Sequence, residues 1–359
     1  MAALLSPSYL PESVDDHAFS TTPAPRAPAP LGVLLINLGT PDTPTAPDIR
    51  RYLREFLSDP RVIELPALLW QPILRGLVLA RRPAKLVPRY ADIWMEEGSP
   101  LLVWSEAQAQ ALQQRLDARA LPVRVAVGMR YGNPSTAHGL AQLQAARCEH
   151  VLLVPLYPQY SATTTATAVD HACRALARRR NQPAVRSIKR FHTHPGYIAA
   201  LASQVQELWQ EKGLPDRLLL SFHGLPWRMV ERGDPYHRDC METARLLADQ
   251  LGEAGALVHV SFQSRFGAQA WLQPYTEPTL RQWAREGVRR VDVICPGFVS
   301  DCLETLEEIQ IECRDAFVEE GGETLNYIPC LNAREDWIAV LEDLVVRELQ
   351  GWPGIPADA

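Results

Sequence analysis

The sequence predicts an α/β protein made of two similar doubly wound lobes, each built on a parallel sheet, facing one another across a central cleft. Three observations carry this reading: apolar runs that end in turn residues and pass into helical periodicity, an echo between the two halves, and a length of 359 residues. A chain of that length exceeds what one ordinary hydrophobic core supports, so two units of similar size follow.

The apolar runs are Val33–Leu38, Val123–Val127, Val151–Val154, Leu218–Phe222, Leu257–Phe262 and Val291–Cys295. Strands apolar on both faces, alternating with amphipathic helices, are what a parallel sheet covered on each side requires. Their ends match in pairs. Asn37-Leu38-Gly39-Thr40-Pro41 is echoed by Phe222-His223-Gly224-Leu225-Pro226, and Arg130-Tyr131-Gly132 by Arg265-Phe266-Gly267. The strand entering Pro155, Tyr157 and Ser161 is echoed by the one entering Pro296, Phe298 and Ser300. The last two pairs are offset by 135 and 141 positions and the first by 185, so the first half carries about 50 additional residues, placed at about 45–99. The expected division is a disordered tail over 1–30, a first lobe over 31–192 containing that insertion, and a second lobe over 193–333. Ligands in such sheets bind beyond the carboxyl ends of the strands, where the paired motifs stand.

Composition narrows the function. Apolar residues make up 47% and charged residues 22%, as in soluble globular proteins. The net charge of -6 argues against a nucleic-acid partner, whose phosphates favour a basic face. The seven cysteines, at 148, 173, 240, 295, 302, 313 and 330, form no C-x-x-C pair. An odd, scattered set suits a reducing cytosol and neither a disulfide framework, a structural zinc site nor an iron–sulfur cluster. In the first thirty residues Arg26 is the only basic residue, Asp15 and Asp16 are acidic, and Thr22–Pro30 is rich in Pro and Ala. Secretory and mitochondrial leaders look different, so a cytoplasmic location is expected.

The longest apolar stretch, Leu65–Ala80, is broken by Gln71 and Arg75 and contains Pro66 and Pro72. It falls short of the roughly 20 apolar residues of a membrane span. Arg81, Arg82 and Lys85 follow it. Two readings stand: a buried or half-buried helix, or an apolar lip over 65–85 that rests peripherally on a membrane surface.

His223 directly follows a strand at a Gly/Pro turn, where an imidazole faces the cleft and can accept a proton or bind a borderline metal. A loop histidine bonded to backbone is the plainer alternative. After Val291–Cys295, Ser300 or Asp301 can cap a helix on which Glu304, Glu308 and Glu312 recur at i, i+4 and i+8. Like charges at that spacing cost roughly 0.2–0.5 kcal/mol per pair, and the helix N-terminus offsets this only for Glu304. Such a row can pass a cation inward or relay protons outward; a solvated acidic face is the alternative. Its start at a strand end, and the separate apolar stripe of Leu303, Leu306, Cys313 and Phe317, favour a functional row. Arg130, Tyr131, Tyr157, Tyr160, Trp271 and Phe298 supply the aromatic walls and the cation that a flat, apolar, anionic ligand needs.

Eight ordered segments resemble ferrochelatase, over Gly32 to about Leu349: Leu35–Pro41, Gly98–Leu101, Gly128–Gly132, Tyr157–Ser161, Ser221–Pro226, Arg232–Tyr236, Phe262–Gly267 and Pro296–Glu312. The resemblance implies two Rossmann-like lobes in the chelatase fold, with a C-terminal helix over 334–351 returning to the first lobe. It implies insertion of Fe2+ into protoporphyrin IX to give protohaem with release of two protons, the last step of haem biosynthesis. Iron is then a substrate, and no tightly bound cofactor is implied. By resemblance His223 is the active-site imidazole and Glu304 the carboxylate facing it across the porphyrin, both contacting metal. Glu308 and Glu312 match acidic positions forming a proton or metal path, while Leu38, Arg130, Tyr131, Trp271 and Phe298 match positions lining the porphyrin pocket. Cys302 stands where some members carry a second histidine, leaving its role open. Ala162 replaces a cysteine of the animal forms and the C-terminal cysteine cluster is lacking, so no iron–sulfur cluster is expected. A chelatase for sirohydrochlorin or coproporphyrin and a two-lobed haem carrier are the competing readings.

Overall fold

The computed structural model describes residues 29–267 and 269–356, so the tail expected over 1–30 lies outside the described residues but for its last two. The first sheet orders its strands β2-β1-β3-β4, with β1 Leu31–Thr40, β2 Val123–Gly132, β3 His150–Pro155 and β4 Ala184–Ser187. The second repeats that order as β6-β5-β7-β8, with β5 Arg217–His223, β6 Val258–Gln263, β7 Arg290–Ile294 and β8 Thr324–Ile328. Every ladder is parallel. The sequence echo therefore has a structural cause: β1 and β5, β2 and β6, and β3 and β7 occupy equivalent places in two sheets of one design. Even the return loops agree, since Met129 N–H donates to the Pro134 carbonyl (2.6 Å) and Phe262 N–H to that of Pro274 (2.8 Å).

Alternate residues of each strand feed opposite faces. Leu34, Ile36 and Leu153 face the helices Thr136–Ala145 and Thr167–Leu176, while Leu219, Val291 and Val293 pack with Leu280, Ile309 and Phe317. The other faces of both sheets, with Val33, Leu35, Leu218, Leu220 and Phe222, belong to one continuous core. Burying each such side chain stabilises by about 1.5–3 kcal/mol. Tyr197, from the helix Pro195–Lys212, and Trp337, from the C-terminal helix Glu335–Leu349, fill its centre without exposure. The C-terminal helix packs on the helix Pro100–Ala118 of the first lobe, and its Glu342 pairs with Arg115 (2.5 Å) and Arg119 (3.1 Å) there.

The insertion forms α1 (Ala46–Phe56), α2 (Ala67–Ile73), a π-helical turn at Leu74–Val78, and α3 (Leu79–Ile93). Its apolar stretch is half-buried, with one side packed and the other exposed. Trp70, Leu74 and Leu79 turn inward onto Ile49, Tyr52 and Tyr131, whereas Leu68 is 92% exposed and Leu69 66%. No helix among the described residues is long and apolar enough to cross a membrane.

Candidate functional site

The carboxyl ends of β1, β5 and β6, the segment after β7, and the insertion converge on one region. The motif residues explain how. Gly39 has φ +116°, and a Cβ there would lie 1.7 Å from the Tyr131 carbonyl oxygen, so only glycine lets β1 approach β2 at the mouth. Asn37 donates to the Ser105 hydroxyl (3.0 Å) and Thr40 to that of Ser99 (2.7 Å), tying this end to the Gly98–Leu101 segment. Across the lobes, Ser161 Oγ–H and Ala162 N–H donate to Asp234 (2.9 and 2.8 Å), and Gln108 bonds the Val299 carbonyl (3.0 Å).

His223 closes β5 and is half-buried. Its Nδ1 lies 2.6 Å from the Gly224 carbonyl oxygen. A carbonyl only accepts, so Nδ1 carries a proton, and in the neutral form of the ring Nε2 offers its lone pair. Gly224 is held tight as well: a Cβ would sit 2.7 Å from the Gln263 carbonyl oxygen and 3.1 Å from the Trp271 ring.

Gln263 organises the carboxylates, a role its neutral side chain gave no reason to expect. It is the ladder partner of His223, and its Oε1 accepts from Ser221 (2.6 Å). Its Nε2 donates to the Glu304 backbone carbonyl (2.6 Å). Beside it Ser264, at φ +63°, donates its N–H to Glu308 Oε1 (2.7 Å). Glu308 feels both the His223 and the Glu304 charges. Burial drives its carboxyl above the usual carboxylate range, against the Ser264 hydrogen bonds and the pull of His223. His223, Glu304 and Glu308 are thus one electrostatic group.

The helix carrying the acids differs from the expected one. Its cap is Cys302, whose N–H donates to Thr305 Oγ1 (3.0 Å), rather than Ser300 or Asp301. Asp301 is spent on Tyr327, on Cys330 N–H (3.1 Å) and on Asn332 (2.7 Å). A three-residue α-helical turn, Leu303–Thr305, passes into a π-helix over Leu306–Cys313. Wider turns bring residues five apart into line. The single row of Glu304, Glu308 and Glu312 accordingly splits: Glu304 and Glu308 face the His223 group, while Glu312 shares Arg89 of α3 with Glu307. Burial, and then the adjacent Glu304, push the Cys302 thiol well above its ordinary range.

Arg130 and Tyr131 point to a partner that sequence reasoning missed. Both are buried on Asp59, which also accepts from Thr167. They brace the wall at this place instead of presenting an open face. Leu38 lies between the first-lobe and insertion cores, and Phe298 is half-buried against the outer core of the second lobe. Trp271 pairs with Pro226, and its buried indole N–H has no partner among the described residues.

The insertion adds residues that the sequence did not single out for the site. Tyr52 and Tyr90 are buried and within electrostatic reach of Glu304, and burial raises both phenols far above their ordinary range. Arg82 lies over the Phe266 ring at 4.9 Å and also faces Tyr90, Tyr52 and Glu304. Its burial depresses its pKa. A half-buried guanidinium of this kind suits an anionic group of a ligand. A second cluster, His192, Asp239 and Glu242, brings potential ligand atoms within 4.8 Å of one another, but Arg190 already holds both oxygens of Asp239 (2.8 and 3.0 Å).

Comparison with known proteins follows this geometry. The family model for Ferrochelatase matches residues 30–349. A ferrochelatase of Bordetella bronchiseptica is 59% identical over 345 residues, covering 96% of this chain and 95% of its own. One from Azoarcus sp. is 56% identical over 324 residues, covering 90% and 89%. The structure of SirB from Bacillus subtilis with Fe3+ aligns at TM-score 0.51 and 14% identity, over 89% of this chain and 95% of that one, a likeness of fold alone. Identity of this degree along nearly the whole of both chains, with the family model running through both sheets, places the chain in the ferrochelatase family.

Proposed function

We propose that the protein inserts ferrous iron into protoporphyrin IX, giving protohaem and two protons. The reading rests above all on His223: an imidazole with one nitrogen committed to backbone and the other free, grouped through Gln263 with Glu304 and Glu308. Metallation exchanges two pyrrolic protons for a divalent ion. A free Nε2 lone pair can take the first proton or guide the metal. Glu304 supplies the opposing carboxylate, and nitrogen with carboxylate oxygen suits Fe2+. Glu308 is a proton acceptor made more basic by burial, and Glu312 stands further out. Binding energy from the rest of the ring holds the macrocycle bent, exposing nitrogen lone pairs that a flat ring hides. Leu38, Trp271 and Phe298 offer apolar surface to it, Arg130 and Tyr131 brace the wall, and Arg82 is suited to a propionate. Cys302 is buried at the cap of the acidic helix and is given a structural part there.

The test is His223→Ala with Fe2+ or Zn2+, followed by porphyrin absorbance. Loss of about 10²-fold or more in kcat is expected for a proton acceptor, and near-normal insertion would remove His223 from the mechanism. Turnover should favour protoporphyrin over coproporphyrin, because the apolar insertion suits a ring edge bearing vinyl groups. The reverse preference would assign the chain another porphyrin.

We further propose a cytoplasmic protein in peripheral contact with a membrane through the insertion. The exposed Leu68, Leu69, Ile73 and Leu77 support this, beside a groove lined by Arg50, Arg54 and Arg75. Leu68→Asp/Leu69→Asp should abolish co-sedimentation with anionic vesicles without changing the melting temperature. Undiminished binding would refute it.

A further inference from the structure

Arg89 belongs to α3, the last helix of the insertion, and its side chain crosses to the second lobe. Nη1 donates to Glu307 Oε2 (3.3 Å) and to Glu312 Oε2 (3.2 Å), and Nη2 pairs with the other oxygen of Glu312. The two glutamates are five residues apart on the π-helix, so its wide turn aligns them under one guanidinium. Asp92 of α3 and Glu308 are the further charges acting on Glu307. One guanidinium thus bridges two carboxylates, and two further carboxylates raise the negative potential at Glu307. One turn earlier on the same face of α3, Leu86 packs with the insertion core, and the next residue, Tyr90, lies buried near Glu304 and Cys302. The helix that Arg89 tethers therefore also lines the inner site.

We propose that Arg89 is an internal competitor for divalent metal. It occupies Glu307 and Glu312 while the site is metal-free, keeps their affinity for a cation low enough that the ion passes on, and frees α3 when an arriving ion displaces it. This rests on the metal-insertion reading above and adds to it a positioning residue that tunes metal affinity and links metal arrival to movement of the insertion. The Arg89 guanidinium occupies lone pairs of Glu307 and Glu312 and repels an incoming divalent ion by like charge, so the two compete for these carboxylates.

Zn2+ insertion by the full-length protein tests it. Arg89→Ala should lower the KM for Zn2+ about fivefold, the equivalent of an ion pair of ~1 kcal/mol, while the porphyrin KM stays in place. Arg89→Lys should restore most of the difference. Glu307→Gln should act in the opposite sense, leaving Arg89 to hold Glu312 alone and raising the KM for Zn2+. These two conservative variants carry the test should Arg89→Ala fold poorly. Zn2+ alone, without porphyrin, should speed amide hydrogen exchange over residues 86–93 in the wild type and have little effect in Arg89→Ala. A purely structural Arg89 would lower melting temperature and kcat with the metal KM unmoved, and that result overturns the proposal, as does exchange indifferent to Zn2+. Wild-type protein inserting no metal into any porphyrin would instead overturn the functional reading itself.

Discussion

Replacing Gln263 by Met tests whether the His223 group is held together as described. The side chains are similar in length and the site is buried, so the change removes polarity with little change in volume. Two strong hydrogen bonds disappear, Ser221 Oγ–H to Oε1 (2.6 Å) and Nε2–H to the Glu304 carbonyl (2.6 Å). Ser221 keeps Thr276 Oγ1 at 2.8 Å, so its hydroxyl is not orphaned. At about 1 kcal/mol net per buried bond the loss is ~2 kcal/mol. For a chain of 359 residues, with an unfolding entropy of about 2.1 cal/mol/K per residue, that lowers the melting temperature by about 3 °C. The functional effect should be larger, since Glu304 loses the contact that sets its backbone, and a displacement of about 1 Å at a reacting group can cost ~10²-fold. Thermal unfolding and single-turnover metallation, with the porphyrin KM determined in parallel, provide the readouts. A kcat within twofold of wild type, with the melting temperature lowered as calculated, would show that Gln263 packs the sheet and does not position Glu304.

Further outcomes follow from the buried charges. Asp59→Ala strands the Arg130 guanidinium without its counter-ion and should cost about 3–5 kcal/mol, while Asp59→Leu combined with Arg130→Met should recover much of it; urea unfolding of both proteins decides. His171 has its pKa depressed from 6.5 to about 4 by burial and then by Arg130 and Arg174. The unfolded chain therefore takes up this proton first, so stability is intact above pH 6.5 and is lost as pH falls toward 4. Discounted for its partial exposure, the loss should be about 1–2 kcal/mol. His171→Gln should flatten the acid side of a stability–pH curve, and a curve identical to wild type would refute the assignment.

Much of the fold could be read from the sequence because parallel sheets advertise themselves. Val33–Leu38 or Val151–Val154 is apolar on both faces, and no exposed strand looks like that. Of the edge strands, β2 and β6 were read, while β4 and β8 escaped for the same reason. Ala184–Ser187 is four residues long and largely exposed, and Thr324–Ile328 is exposed at its first residue and only half-buried at two others. The positions of His223 at the end of a strand and of Glu304 in a first helical turn were legible through residue type and spacing. The bracing of Arg130 was not, since its partner Asp59 lies 71 residues upstream. Nor was the change from α to π geometry after Thr305, because spacings of four and five residues are both present among Glu304, Glu307, Glu308 and Glu312, and only the packed structure selects between them. Gln263 and Arg82 gave no chemical signal until neighbours surrounded them.

The continuous core joining the inner faces of both sheets has a mechanical consequence. Swinging the lobes apart as rigid shells would pull Trp337 and Tyr197 away from the apolar neighbours that enclose them and admit water along the seam. A ligand as broad as a tetrapyrrole is therefore better admitted by yielding of the insertion, whose attachments across the mouth include the ion pairs Arg89–Glu312 and Arg232–Glu64. The two sheets serve as a fixed anvil, and the breathing needed to load and unload them belongs to the helices between residues 46 and 93.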